Sequence, residues 1–214
     1  MKKIGIIGSG VVAKTLGSGF LKQGHEVMLG TRSIDKLSEW KDAQNGAAFV
    51  GSFEETAQFG DVLVLAVKGT VAKDVLKTMD RGSTQRKTII DATNPIDNQP
   101  PEAGVLRFFT DQNDSLMEQL QAIHPEANFV KAYNSVGSAQ MVNPSYEVRP
   151  TMFICGNNPE AKKEVESINT AFGWETQDMG SAQAARAIEP LCMLWCIPGF
   201  LNNEWTHAFK LLKK

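Results

Sequence analysis

Cysteine is scarce in this chain, and so is any imbalance of charge. Cys155, Cys192 and Cys196 are an odd three among 214 residues, too few for a disulfide framework, which points to a reducing, cytoplasmic setting. Histidine is equally sparse: His25, His124 and His207 lie far apart without ligand spacing, so no metal site is expected. The formal net charge is -2, with Lys and Arg interspersed among Asp and Glu, and nothing is set out to neutralise a nucleic acid. No uninterrupted apolar run reaches the roughly 18 to 20 residues of a membrane helix. The run Ile4 to Ile7 behind Met1-Lys2-Lys3 is too short for a signal peptide, so neither a membrane partner nor export is expected. Internal repeats and low-complexity tracts are missing as well.

What is present is 42% hydrophobic and 21% charged, an ordinary globular composition, and residues 1–214 are expected to form one domain. Ile4 to Ile7 is a compact strand signal ended by Gly8, and residues 11–22 carry helix-spaced apolar positions at Val12, Leu16, Phe20 and Leu21. Gly24 closes that helix, and Glu26 to Leu29 reads as the next strand. Ser52 and Glu55 have capping-box spacing, as do Ser115 and Glu118, and Asn158-Pro159 is a cap followed by a first-turn proline. Val62 to Val67, Thr88 to Asp91, Asn128 to Ala132 and Met152 to Cys155 read as further strands. Residues 97–114, with Pro100, Pro101 and Gly104, read as an irregular segment.

Strands alternating with helices throughout predict an α/β, Rossmann-type, doubly wound and mostly parallel sheet. Residues 180–214 are predicted as a helical C-terminal extension, with Pro190 imposing a kink and Pro198 a break. Its apolar residues Ile188, Leu191, Leu194 and Trp195 should be buried against the body or against a second subunit, which makes a homodimer the expected assembly. Cys192 and Cys196 share a helical face and invite a metal or redox reading. Their apolar neighbours favour simple packing.

Gly8-Ser9-Gly10-Val11-Val12-Ala13 is the G-x-G-x-x-G/A pattern, placed between a strand and the helix it opens. Gly8 permits the tight turn, Gly10 lets a pyrophosphate approach the backbone, and helix-terminal amides meet the phosphates. A dinucleotide site that prefers the unphosphorylated ribose places Asp or Glu about 20 residues on. This chain has Thr31-Arg32-Ser33 there, with Lys36 one turn further. A carboxylate would repel a 2'-phosphate by around 4 kcal/mol at contact distance in an intermediate dielectric, whereas a guanidinium attracts it. NADP(H) is therefore the expected cofactor, the competing reading being a solvated helix start capped by Ser33. Ligands of open parallel sheets lie beyond the carboxyl ends of the strands, which nominates Val67, Lys68, Gly69, Asn94, Pro95 and Asn134; Lys68 and Asn94 can equally serve their own turns.

Those segments resemble the deazaflavin-dependent NADP reductase family and the cytosolic oxidoreductase domain of the membrane metalloreductases called STEAP proteins. The likeness rests on Ile6-Ile7-Gly8-Ser9-Gly10, Gly24-His25-Glu26-Val27 with Gly30-Thr31-Arg32, Asp91-Ala92-Thr93-Asn94-Pro95 and Lys131-Ala132-Tyr133-Asn134. Cys155 to Ala161 and Ala185 to Leu191 match the family's C-terminal signatures. The resemblance implies hydride transfer between NADPH and a flavin or deazaflavin-type acceptor bordered by Asn134 to Gly137. Such a transfer needs positioning rather than a protein nucleophile, so no catalytic residue is expected. Two other readings stay open: a small-metabolite NADP-dependent dehydrogenase or imine reductase, which would want more than the about 35 residues after Gly180 for a substrate domain, and a non-catalytic NADP(H)-binding module.

Overall fold

The computed structural model describes residues 1–44 and 46–214. In chain order it forms β1 (Lys3–Ile7), α1 (Val11–Lys22), β2 (Glu26–Gly30), α2 (Ser38–Asp42), β3 (Ala48–Gly51), α3 (Phe53–Phe59), β4 (Val62–Leu65), α4 (Gly69–Lys77), α5 (Arg81–Thr84), β5 (Thr88–Asp91), α6 (Leu116–Ile123), β6 (Asn128–Lys131), β7 (Thr151–Gly156), α7 (Pro159–Ala171), β8 (Glu175–Asp178) and α8 (Ala185–Asn202). The strands build one sheet in the order β3-β2-β1-β4-β5-β6-β7-β8. It is parallel except where β7 runs antiparallel to β6, through Val130 opposite Gly156 and Lys131 opposite Cys155.

Alternation along the strands explains the two layers. Ile4 and Ile6 of β1, with Val62 and Val64 of β4, join the core under α1 and α7, alongside Leu16, Phe20 and Phe172. Ile7, Leu63 and Leu65 point to the other layer, against Leu76 of α4, Leu116 and Leu120 of α6 and Ile188 of α8. Each such fully buried aliphatic side chain contributes about 1.5 to 3 kcal/mol, which is why the central strands read as unbroken apolar runs. The order of strands reverses between β1 and β4, so a crevice opens beyond their carboxyl ends.

The expected Rossmann-type sheet and its capping boxes at Ser52 and Ser115 are present, with both halves of each box made. Three expectations are corrected. The Val62 strand ends at Leu65 rather than Val67. The mostly helical reading of residues 180–214 holds only to Asn202: Asn203 takes a left-handed conformation (φ 59°), and the chain then folds back without regular structure. Trp195 Nε1 donates to the His207 carbonyl at 2.8 Å and Thr151 N donates to the Phe209 carbonyl at 2.9 Å, holding that return in place. Finally, Pro198 does not break α8, which runs through both prolines. The carbonyl that Pro198 cannot serve belongs to Leu194, itself 56% exposed, where water can take the missing bond.

One face of α8 is buried as expected, through Ile188, Cys192 and Trp195, but Leu194, Phe200 and Leu201 remain exposed. By length and composition alone, Ala182–Asn202 is a helical stretch apolar enough to cross a membrane. Its Glu189, however, is buried and ion-paired to Lys131 of β6 at 2.8 Å, which ties the helix to the sheet.

Candidate functional site

The crevice at the strand reversal is a cleft of about 1180 Å³. Its floor is the turn after β1. Gly8 sits at φ +149°, and a Cβ there would lie 2.2 Å from the Ala66 carbonyl oxygen, so only glycine closes this turn against the end of β4. Gly10 has an ordinary backbone (φ -79°), yet its missing Cβ points into open space with no protein atom within 4 Å. That emptiness is the cradle a pyrophosphate requires.

Helix α1 begins at this point without a side-chain cap and without an acidic residue in its first turn. Helix α4, which starts on the same cleft behind Lys68, is equally bare. By contrast α3, α6 and α7, which start from Ser52, Ser115 and Asn158, all carry side-chain caps. The unserved amides and positive dipole ends of α1 and α4 therefore face a cavity suited to anions.

At the end of β2 the cleft is bordered by Thr31, Arg32, Ser33 and Lys36. Arg32 and Lys36 are exposed, and among the described residues neither takes part in an ion pair. Two cations thus stand uncommitted on the rim. The carboxylates of the cleft are engaged elsewhere. Glu55 accepts from Ser52 N at 2.7 Å, and the Ser52 backbone and hydroxyl bonds hold its carboxyl below the usual range. Glu54 accepts from Asp80 N at 2.8 Å. Thr31 is 6% exposed and its hydroxyl oxygen accepts from Ser33 N at 3.1 Å, so it shapes the turn that presents Arg32.

Of the residues nominated from sequence, Gly8, Ser9, Gly10, Val11, Val12, Thr31, Arg32, Ser33, Lys36, Val67 and Lys68 meet on this one cleft. Gly69, Asn94, Pro95 and Asn134 stand behind it. A Cβ on Gly69 would come within 1.9 Å of the Asn94 carbonyl oxygen, so Gly69 is a packing contact. Asn94 Nδ2 donates to the Asn134 carbonyl at 2.7 Å, and Asn134 Nδ2 donates to Asn94 Oδ1 at 3.2 Å and to the Ile188 carbonyl at 3.0 Å. These two side chains lock the loops after β5 and β6 to each other and to α8.

Sequence reasoning missed Ile34, Phe53, Val71 and Thr78, which also line the cleft. Val71 and Val75 lie on the apolar face of α4, and Val71, 38% exposed, forms a wall of the cleft. Periodicity identifies a face and does not say what lies opposite. Among the described residues no group of three or more His, Cys, Asp or Glu is arranged to hold a metal. Cys155 is buried and its thiol is pushed up to about 12 by burial. Cys192 is buried too, and a hydrogen bond with Cys196, together with burial, holds its thiol above the ordinary value.

Together, the strand order, the glycine turn and the bare helix starts define a dinucleotide-binding Rossmann protein. Residues 3–95 match the family model described as NADP oxidoreductase, coenzyme F420-dependent. The chain is 26% identical over 203 residues to Metalloreductase STEAP3 of Rattus norvegicus, covering 93% of this chain and 39% of that protein. It is 24% identical over 184 residues to the F420-dependent NADP reductase of Methanocaldococcus jannaschii, covering 81% and 82%. A crystal structure from Arthrobacter sp. FB24, provisionally named an F420-dependent NADP-reductase, superposes over the whole of both chains with a TM-score of 0.93 at 26% identity. The chain is thus similar to these reductases in sequence over most of its length and in fold throughout. It spans little more than a third of the length of the STEAP relatives.

Proposed function

We propose that this chain binds NADP(H) in the cleft and transfers hydride between NADPH and a flavin or deazaflavin-type acceptor. The observation that carries the reading is the pair of uncommitted cations, Arg32 and Lys36, standing where a carboxylate would otherwise select the unphosphorylated ribose. In this reading the amides at Gly10 to Val12 hold the pyrophosphate. Arg32, Ser33 and Lys36 hold the 2'-phosphate, and Ile34, Val71 and Val75 give the adenine apolar walls. The nucleotide when bound supplies the hydride. The protein's share is to hold the two rings face to face at about 3 to 3.5 Å, and no side chain is assigned an acid or base role.

The named activities of the reductase relatives support this choice of acceptor class. The test mixes the protein with NADPH and, separately, riboflavin, FMN, FAD and a deazaflavin, and follows the loss of reduced-nicotinamide absorbance. Turnover with at least one acceptor, and much slower turnover with NADH, is expected. Tight NADPH binding with no turnover on any acceptor would overturn the enzymatic reading and leave a binding module. A homodimer is proposed on the same footing, with the exposed Leu194 and Leu201 face of α8 as the contact and sedimentation as the check.

A further inference from the structure

Three fully buried charges lie away from the cation rim and take no part in the nucleotide contacts proposed above. Lys131 Nζ, at the end of β6, is 2.6 Å from Asp91 Oδ2 at the end of β5 and 2.8 Å from Glu189 Oε1 of α8. It also donates to the Thr93 carbonyl at 3.0 Å. Burial works against its charge, but the two carboxylates outweigh burial and hold the ammonium above its ordinary value. Asp91 Oδ1 accepts from Thr93 N at 2.9 Å and from the Thr93 hydroxyl at 2.6 Å. Glu189 accepts from the first amides of α6, Leu116 N and Met117 N, both at 3.0 Å.

The network thereby clamps the two loops that continue from the carboxyl ends of β5 and β6, the side of the sheet on which the cleft opens. The same helix grips the second loop twice more. The Ile188 carbonyl takes the Asn134 amide at 3.0 Å, and a Cβ on Gly137 would lie 2.7 Å from the Trp195 ring. Between these grips Tyr133 is held left-handed (φ 61°), a conformation that a non-glycine residue keeps only where its surroundings over-determine it.

We propose that Glu189, acting through Lys131 and Asp91, is a positioning residue for the hydride-transfer end of the cleft, fixing the loops against which the nicotinamide ring is oriented. The proposal rests on the NADP(H) reading of the cleft, and on hydride transfer for its kinetic arm. Buried ion networks are weak stabilisers, since well-packed apolar replacements of similar volume are often neutral or stabilising. That separates a positioning role from a merely structural one.

The test is the neutralised triple variant Asp91→Asn/Lys131→Met/Glu189→Gln, with the single variant Glu189→Gln as a second, milder probe. Three quantities are read: NADPH affinity by calorimetry, the emission enhancement of bound NADPH, which reports immobilisation of the reduced nicotinamide ring, and kcat and KM with the best acceptor. The triple variant is expected to keep a cooperative melt, lowered because the amide that replaces the Glu189 carboxylate can accept from only one of Leu116 N and Met117 N, and to keep its NADPH affinity within about 3-fold, because the adenosine and phosphate contacts are untouched. It should lose most of the emission enhancement and at least about 10-fold in kcat, the scale expected when reacting groups are misplaced by about an ångström. Glu189→Gln should show a smaller loss of the same kind. Emission and kcat matching the parent protein in the variant that folds would overturn the proposal. If the parent turns over no acceptor, the reductase reading fails by itself and the emission measurement still decides this one. An absence of NADPH binding overturns both.

Discussion

Replacing Arg32 by alanine should separate the two nicotinamide dinucleotides. The side chain is exposed at the rim, so its field is partly screened. At about 4 Å a unit charge pair is worth about 1 kcal/mol in bulk water and about 4 kcal/mol near a protein surface. A 2'-phosphate carries about 1.5 to 2 negative charges, but Lys36 remains to serve it. A loss of about 2 kcal/mol follows, or about 30-fold in the Kd for NADPH at low salt. NADH has no phosphate there, so its Kd should change by less than about 3-fold. Calorimetry with both nucleotides is the assay, repeated at about 0.15 M salt, where the Debye length of about 8 Å should shrink the difference. Equal losses for the two nucleotides, or none for either, would refute the assignment of Arg32 to the phosphate.

The two glycines of the first turn should respond in opposite ways. Gly10→Ala places its methyl in open space on an ordinary backbone, so stability should change by less than about 1 kcal/mol while affinity falls at least about 10-fold for NADPH and NADH alike. Gly8→Ala meets the Ala66 carbonyl at 2.2 Å from a φ of +149°, and thermal denaturation should show a loss of about 3 kcal/mol or more. Stability should also fall with acid through His124, which is 2% exposed, with Nδ1 2.6 Å from the Thr84 hydroxyl and Nε2 3.0 Å from the Leu76 carbonyl. Burial holds its pKa below the ordinary 6.5, so the unfolded chain takes up the proton first and the contribution is lost as pH drops below 6.5. Melting curves across that range should flatten in His124→Gln relative to the parent.

How far the sequence went depended on whether a signal was local. The strands from Thr88 and Asn128, the caps at Ser52, Ser115 and Asn158, and the Gly8 to Ala13 turn are settled by residues within a few positions of one another, and all formed where expected. Strand β8 escaped notice because Glu175 to Asp178 is polar and only partly buried at the sheet edge, leaving no apolar pattern to detect. The end of α8 was misjudged for a related reason. A proline's disruption was assessed without knowing that Leu194 faces water, or that Trp195 and His207 would bond across the return. Asn94 and Asn134 are nominated from sequence as neighbours of the bound nucleotide, but their side chains bond each other across 40 positions, a pairing that only the fold shows.

The distribution of charges makes the same distinction between structure and function without reference to any relative. Lys131, Asp91 and Glu189 are wholly buried and ion-paired, Glu54 and Glu55 of the cleft accept from backbone amides, and Asp74 pairs with Lys77. Arg32 and Lys36 are left over, beside an α1 start that lacks the cap carried by α3, α6 and α7. A fold under selection for stability alone would gain about 1 kcal/mol from a Ser or Asp at that start. That gain is forgone beside two cations that pair with no carboxylate among the described residues, and a bound polyanion would answer both, its phosphates capping the helix and neutralising the rim. A bound nucleotide would complete this electrostatic arrangement, and its binding should raise the melting temperature more than the contacts of its adenine alone would give.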